Sequence, residues 1–257
     1  MTSRAGVNDA LVLAAGYGSR LSDIAPSKPL AQVHGVPLIE IAIRQLAGVG
    51  VQRVAVATGY RADEVEAALP AIARRAGVTV EARRVPDFRK PNGHSVIAGS
   101  AGFDGRYLLV MADHILSHEL LSTLVARAPV DADATLAIDR RVGSPLVDPE
   151  DATWVRLGEG TAIARIGKGL AKYDAVDCGA FVAGPALSRA IAAALGNGQP
   201  GSLSDGMQRL ADTGRAQTVD IGEAWWIDVD DAKALRQAEA QVRQYLPQVF
   251  DPQGARV

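Results

Sequence analysis

The chain is short of several things at once. Among its 257 residues there is one cysteine, aromatic residues make up 5%, and lysine plus arginine (27) nearly balance aspartate plus glutamate (29), leaving a net charge of -2. A lone Cys178 cannot close an internal disulfide. No apolar run approaches the roughly 18 residues that a membrane-crossing helix needs, which argues against stable membrane insertion. The largely polar first ten residues and the short apolar run behind them do not make a cleavable signal peptide, and with the unpaired thiol this points to a cytoplasmic protein. Charge of neither sign dominates, so nothing implies nucleic acid or an anionic membrane as partner. The pairs Arg74-Arg75, Arg83-Arg84 and Arg140-Arg141 read as solvated edges. Two glycine motifs are also missing. A dinucleotide-binding G-x-G-x-x-G fails at Leu21, and no Gly-Lys-Ser/Thr exists to form a Walker A loop.

What is present is an aliphatic chain, 48% hydrophobic, in which strand-like and helix-like segments alternate. The expected fold is α/β and Rossmann-like: a mostly parallel, mixed sheet flanked by helices, with a small β-rich lobe over the active-site crevice. A single domain over residues 1–257 is expected, with a nucleotide-binding part at about 8–140 and acceptor-binding and closing elements at about 141–257. The apolar run at residues 10–15 suits a central strand, and Pro37 opens a helix through Leu46. A strand at 53–59 follows, then a helix at 62–76 that Pro70 must break or bend, and a strand at 78–82. Tyr107 to Met111 is another buried strand. Trp154–Leu157 and Thr161–Ile166 read as the hairpin of the smaller lobe. After it come a strand at 178–183, helices at 185–195 and 202–212, a strand at 225–229 and a terminal helix at 231–246.

The stretch LVLAAGYGSRLSDIAPSKPL, residues 11–30, joins a buried strand to a glycine-rich bend, an arginine and a Lys-Pro pair. Gly16 and Gly18 let backbone N–H groups approach an anion. Arg20 offers a planar fork of donors suited to phosphate and Lys28 a compact second cation, so the stretch reads as a cradle for a nucleoside triphosphate. Asp113 follows a buried strand, where the ligand crevice of an open α/β sheet lies, and is a candidate Mg²⁺ ligand. In Trp226-Ile227-Asp228-Val229-Asp230-Asp231, alternation puts Asp228 and Asp230 on one face; Asp228 is the second candidate ligand, with Asp230 or Asp231 capping the next helix. His114 is not assigned as a general base, because a phosphate monoester already carries charge near pH 7. The loop Lys90 to Ser95 offers Gly93 for approach to a base edge and Asn92 or Ser95 for hydrogen bonds to base or ribose, or else is a turn with a helix cap. Lys168 is a candidate for the acceptor's phosphate and Asp177 for its hydroxyls, with Lys172 and Gly179 nearby. Cys178 reads as a small packed side chain.

L-A-A-G-x-G-x-R followed by K-P-L resembles the signature of nucleotidyltransferases that activate sugar phosphates, the MobA-like NTP transferases. With PNGHSV, VMADHILS, KYDAVDCGAF, SLSDGMQRLA and WWIDVDD, the chain looks like the cytidylyltransferases that act on inositol 1-phosphate. That resemblance implies a Mg²⁺-dependent enzyme making CDP-inositol and pyrophosphate from CTP. It implies nucleotide contacts at Ala15, Gly16 and Gly18, phosphate contacts at Arg20 and Lys28, the base at Gly93, and the metal at Asp113 and Asp228. With Leu13, Ala14, Ser19, Thr58, Gly59, Asn92 and Ser95 these complete the expected nucleotide site; Gly179 joins Lys168 and Asp177 on the acceptor side. Relatives commonly carry threonine where Cys178 stands. Some are fused to a membrane-embedded phosphotransferase, a region not found here, so the product is expected to pass to a separate enzyme. Other readings stay open: UTP, GTP or dTTP with a sugar 1-phosphate, a glycosyltransferase using Asp228-x-Asp230, or a non-catalytic nucleotide sensor. A homodimer is also compatible with the sequence.

Overall fold

In the computed structural model, which describes residues 7–21 and 24–250, the apolar run at the amino end forms strand β1 (Asp9–Ala14). The ends of the expected 1–257 domain lie outside the described residues. Single helical turns at Ser19–Leu21 and Lys28–Leu30 follow, then a ribbon of β2 (Gln32–Val33) and β3 (Val36–Pro37) and helix α1 (Leu38–Gly48). Next come β4 (Arg53–Thr58), α2 (Ala62–Ala76), β5 (Thr79–Arg84), α3 (Gly93–Gly99), β6 (Tyr107–Met111), β7 (His114–Leu116) and α4 (His118–Arg127). The remaining elements are β8 (Ala134–Asp139), β9 (Trp154–Leu157), β10 (Ile163–Gly167), β11 (Ala175–Ala183), α5 (Pro185–Gly196), α6 (Leu203–Ala211), β12 (Ala216–Asp220), β13 (Trp226–Asp228), α7 (Ala232–Tyr245) and α8 (Pro247–Phe250).

Among the described residues, nine strands join one mixed sheet. Its parallel part runs β6-β1-β4-β5, with Leu13 level with Met111 and Ala14 level with Thr58. Strand order reverses between β1 and β6, so the crevice opens past their carboxyl ends. β11 lies antiparallel to β6 and also pairs with β8 and β9.

Alternation along β1 divides its side chains between two cores. Ala10, Val12 and Ala14 face Ile39, Ile43 and Leu46 of α1, Val65, Leu69 and Ile72 of α2, and Leu120, Leu121 and Leu124 of α4. Leu11 and Leu13 face Val96 of α3, Leu187 and Ile191 of α5, and Leu203 and Met207 of α6. Because both faces are covered, the strand can be wholly apolar, and each fully buried leucine contributes about 1.5–3 kcal/mol. A third core, with Leu38, Ile41, Ile227 and Leu235, binds α7 to the outer side of α1.

Three expectations are refined. Helix α2 is not broken at Pro70; the proline is exposed while Val65, Leu69 and Ile72 stay buried, so packing on both sides of the ring holds the helix as one element. The hairpin of β9 and β10 forms, and it is continuous with the main sheet through pairing of Ala175 and Val176 with Val155 and Trp154. The arginine pairs are also more than solvated edges. Arg75 and Arg44 satisfy buried Glu40 on α1, and Arg141 satisfies buried Asp139.

Candidate active site

Beyond β1 the chain bends at Gly18, whose φ of +60° few side chains tolerate. A Cβ there would also run into the aliphatic stem of Lys28. Gly16 differs: among the described residues a Cβ would meet nothing within 4 Å, so none of them demands glycine there. The bend seats Lys28 with a side chain only 9% exposed, its Nζ 2.5 Å from Asp113 Oδ2 and bonded to Asp230 Oδ1. Arg20 lies nearer solvent and donates to Asp151 Oδ2 and Asp230 Oδ2, each at 2.5 Å.

The carboxylates converge because two short strands carry them. β7 continues from β6, and β13 pairs with it antiparallel so that Asp228 stands opposite His114 and Ile227 opposite Ile115. Val229 N–H donates to Asp113 C=O at 2.9 Å, which closes the ladder. Asp230 projects into the same space, while Asp231 caps α7 by accepting from Ala234 N–H. The helix-capping role thus falls to Asp231, and Asp230 serves the site.

The electrostatics follow from burial and neighbours. Burial resists ionisation of Asp113, but Lys28 and His114 outweigh it and hold the carboxyl well below the usual range. Burial likewise resists charging of His114, yet Asp228 and Asp113 lift its pKa to about 9. Asp228 is raised, first by burial and then by Asp113, with His114 opposing. Asp177 on β11 is pushed to about 6 by burial, although its Oδ1 accepts from Gly179 N–H at 2.7 Å.

These groups line a cavity of about 720 Å³ that also takes in Lys168, Thr153 and Ser204. Leu13, Ala14, Ala15, Gly16, Gly18, Ser19, Arg20, Lys28, Asn92, Ser95, Asp113, Lys168, Asp177, Gly179 and Asp228 all line it. Thr58, Gly59 and Gly93 do not. Thr58 Oγ1 donates to Glu66 at 2.6 Å, and a Cβ on Gly59 would collide with Ala15, so this pair backs the glycine bend. Gly93 is needed because Gly201, Ile191 and Ser202 crowd it. Asn92 Oδ1 accepts from Leu203 N–H at 2.9 Å, so one end of its amide serves the start of α6. Lys172 is exposed and lies off the cavity lining, and Cys178 is packed and fully buried.

Sequence reasoning passed over Asp151. It arises from an irregular loop and bridges Arg20 and Lys168, and nothing in Asp148-Pro149-Glu150-Asp151 distinguishes it from an acidic turn. A divalent cation fits the residues present. Ligand atoms of Asp113, His114 and Asp228 lie within 4.8 Å of one another, as do those of Asp151, Asp228 and Asp230. Asp228 Oδ1 is buried without a hydrogen-bond partner, and the carboxylates are hard oxygen donors of the kind Mg²⁺ takes.

A mostly parallel sheet with a basic bend and an acidic cluster past its carboxyl edge is the α/β architecture of nucleotidyltransferases. Residues 10–210 match the MobA-like NTP transferase domain, and the chain belongs to that family. It is 37% identical over 190 residues to the bifunctional IPC transferase and DIPP synthase of Rubrobacter xylanophilus, covering 73% of this chain and 41% of that protein. To the protein of the same name from Archaeoglobus fulgidus it is 32% identical over 173 residues, 67% of this chain and 32% of that one. The chain therefore spans less than half the length of these relatives. In fold it is similar to the inositol-1-phosphate CTP transferase from T. maritima, with a TM-score of 0.80 and 24% identity over 96% of this chain and 98% of that one. It is also similar to a UDP-glucose pyrophosphorylase complexed with UDP-glucose, with a TM-score of 0.75 and 18% identity over 93% and 99%. No helix among the described residues is long and apolar enough to cross a membrane.

Proposed function

We propose that the chain transfers CMP from CTP to inositol 1-phosphate, giving CDP-inositol and pyrophosphate. The observation that carries this reading is the meeting of Arg20 and Lys28 with Asp113 and Asp228 in one cavity whose other wall holds Asp177 and Lys168. The names of the bifunctional relatives and of the T. maritima fold neighbour support the choice of nucleotide and acceptor.

An oxygen of the acceptor phosphate attacks the α-phosphorus in line; the new P–O bond forms as the bond to the β-phosphate oxygen breaks and pyrophosphate leaves. Because that oxygen is already anionic, no base has to take a proton, and the work is alignment and charge neutralisation. Gly16, beside whose Cα the protein leaves open space, lets the backbone approach the triphosphate. Lys28 exchanges its carboxylate partners for the α-phosphate, and a buried cation is worth more there than one in water. Arg20, more exposed, turns from Asp151 and Asp230 to the leaving pyrophosphate. Asp113 and Asp228 would hold Mg²⁺, which when bound supplies positive charge beside the reacting phosphate. Lys168 takes the acceptor's phosphate, and Asp177, with Oδ1 fixed by Gly179, orients the acceptor's hydroxyls.

The test is a matrix of CTP, UTP, GTP and ATP against inositol 1-phosphate and several sugar 1-phosphates with Mg²⁺, read as pyrophosphate release. CTP with inositol 1-phosphate should give the highest kcat/KM. A larger value for UTP with glucose 1-phosphate, or no release from any pair, would overturn the assignment.

A further inference from the structure

The mechanism above gives His114 no chemical step, yet its ring is held on several sides. One face of its ring stacks on Trp226, centroids 5.9 Å apart and planes 14° from parallel. Its other side is closed by Gly179, where any Cβ would overlap the imidazole; Gly179 has φ +72° and lies in the irregular stretch of β11 between Asp177 and Phe181. The ring's Nδ1 stands 3.0 Å from Asp113 Oδ1 and 3.7 Å from Asp228 Oδ1. Trp226 is fixed in turn, because its Nε1–H donates to Asp139 Oδ2 at 2.9 Å. Asp139 is 1% exposed and also accepts from Arg141 Nε at 2.9 Å and from Arg141 N–H at 2.8 Å, while Arg141 reaches on to Ala224 C=O at 2.7 Å.

We infer that His114 is a positioning residue that orients the Asp113 and Asp228 carboxylates for a divalent cation, and that Trp226 and Asp139 hold it in register. This rests on the metal reading of the site given above. A role as direct ligand fits less well: Nδ1 already faces a carboxylate, and Mg²⁺ prefers oxygen to imidazole nitrogen. The strand pairing supplies the physical reason for the arrangement. Asp113 and Asp228 come from separate segments, and a carboxylate on a short ribbon can rotate about its side-chain torsions. One ring that turns the same Nδ1 to both, hydrogen-bonding Asp113 and standing 3.7 Å from Asp228, narrows that freedom, as hydrogen-bonded neighbours of metal ligands do elsewhere.

The experiment is equilibrium Mn²⁺ binding to the intact chain by electron paramagnetic resonance, with CTP turnover measured alongside. Wild type, His114→Ala, Trp226→Phe and Asp139→Asn are compared, with circular dichroism reporting the fold. Trp226→Phe keeps an aromatic ring beside His114 but removes the N–H that Asp139 accepts together with part of the buried ring volume. His114→Ala should weaken Mn²⁺ binding about 10–100-fold, and Trp226→Phe and Asp139→Asn by a smaller factor in the same direction. In all three, kcat at saturating metal should recover more than the metal affinity does. Should Trp226→Phe or Asp139→Asn fail to fold, His114→Ala alone decides. Folded variants that bind Mn²⁺ as tightly as wild type would overturn the positioning role and leave the metal site intact. Wild type that binds no Mn²⁺, yet releases pyrophosphate with divalent ions removed, would overturn the metal reading itself.

Discussion

The basic and acidic walls of the cavity are built in opposite ways. Arg20 and Lys28 sit eight residues apart on one bend, whereas the carboxylates that hold them, Asp113, Asp151 and Asp230, come from three separate segments. Cations placed by a local turn can be recognised locally, together with the bend that carries them; that distant carboxylates meet those cations is decided by strand pairing. The basic wall is also uneven. Lys28 is nearly enclosed at 9% side-chain exposure, while Arg20 keeps 47%. Charge in low dielectric acts strongly and charge near solvent is screened, so the two cations should not be equivalent.

Replacing Asp113 by Ala tests the acidic wall most severely. Turnover should fall by about 10³-fold or more with only modest loss of thermal stability, since the side chain serves the site and not a core. Near-normal pyrophosphate release would remove Asp113 from the metal site. For the basic wall, Lys28→Ala should lower kcat by about 10²–10³-fold and Arg20→Ala by about 10-fold, the gap reflecting enclosure. Equal losses in steady-state assays would show that burial does not set the strength of these cations.

The two glycines of the bend sharpen the contrast between folding and binding. Gly18→Ala should cost about 1–2 kcal/mol in chemical denaturation, because of its positive φ and the stem of Lys28. If the proposed nucleotide site is right, Gly16→Ala should leave stability within about 0.5 kcal/mol but raise the KM for CTP about tenfold, because its Cβ would meet no described protein atom within 4 Å. A folding defect at Gly16 as large as that at Gly18 would contradict this.

A pH titration of stability carries the smallest effect. Burial disfavours the charged form of Asp139, but Arg141 and Trp226 outweigh it and hold its carboxyl below the ordinary range. The unfolded chain protonates such a group near pH 4, so the stabilisation is complete above that value and drains away as pH falls through the lower folded value. The difference in urea midpoint between wild type and Asp139→Asn should hold between about pH 7 and 5 and shrink below about 4. Asp139→Asn should start lower and lose less on acidification.

Much of this was legible in the chain. Strands β1, β4 and β6 are unbroken apolar runs because helices cover both faces, and runs of that kind announce themselves. That Asp230 or Asp231 caps the last long helix, and that Asp228 is aimed at the crevice, could be read from the chain; the structure assigns the cap to Asp231. Gly93 and Gly59 lie off the cavity lining, and the structure gives each a reason to be glycine within the protein. Glycine marks close approach of something to the backbone, and sequence does not say whether that is a ligand or, as here, Gly201 and Ala15 of the same chain. Asp151 gave no signal at all, since its meaning comes from Arg20 and Lys168 across the cleft.

By itself, then, the sequence determined the alternating α/β order, the buried central strands and the cationic bend, all of which depend on residues a few positions apart. Only the tertiary structure decided that Asp228 faces His114, that Trp226 and Gly179 clamp that ring, and that Asp151 closes on Arg20. Backbone propensity and apolar periodicity act over one or two turns of chain, whereas these contacts exist only once distant strands have paired and the sheet has twisted their ends together.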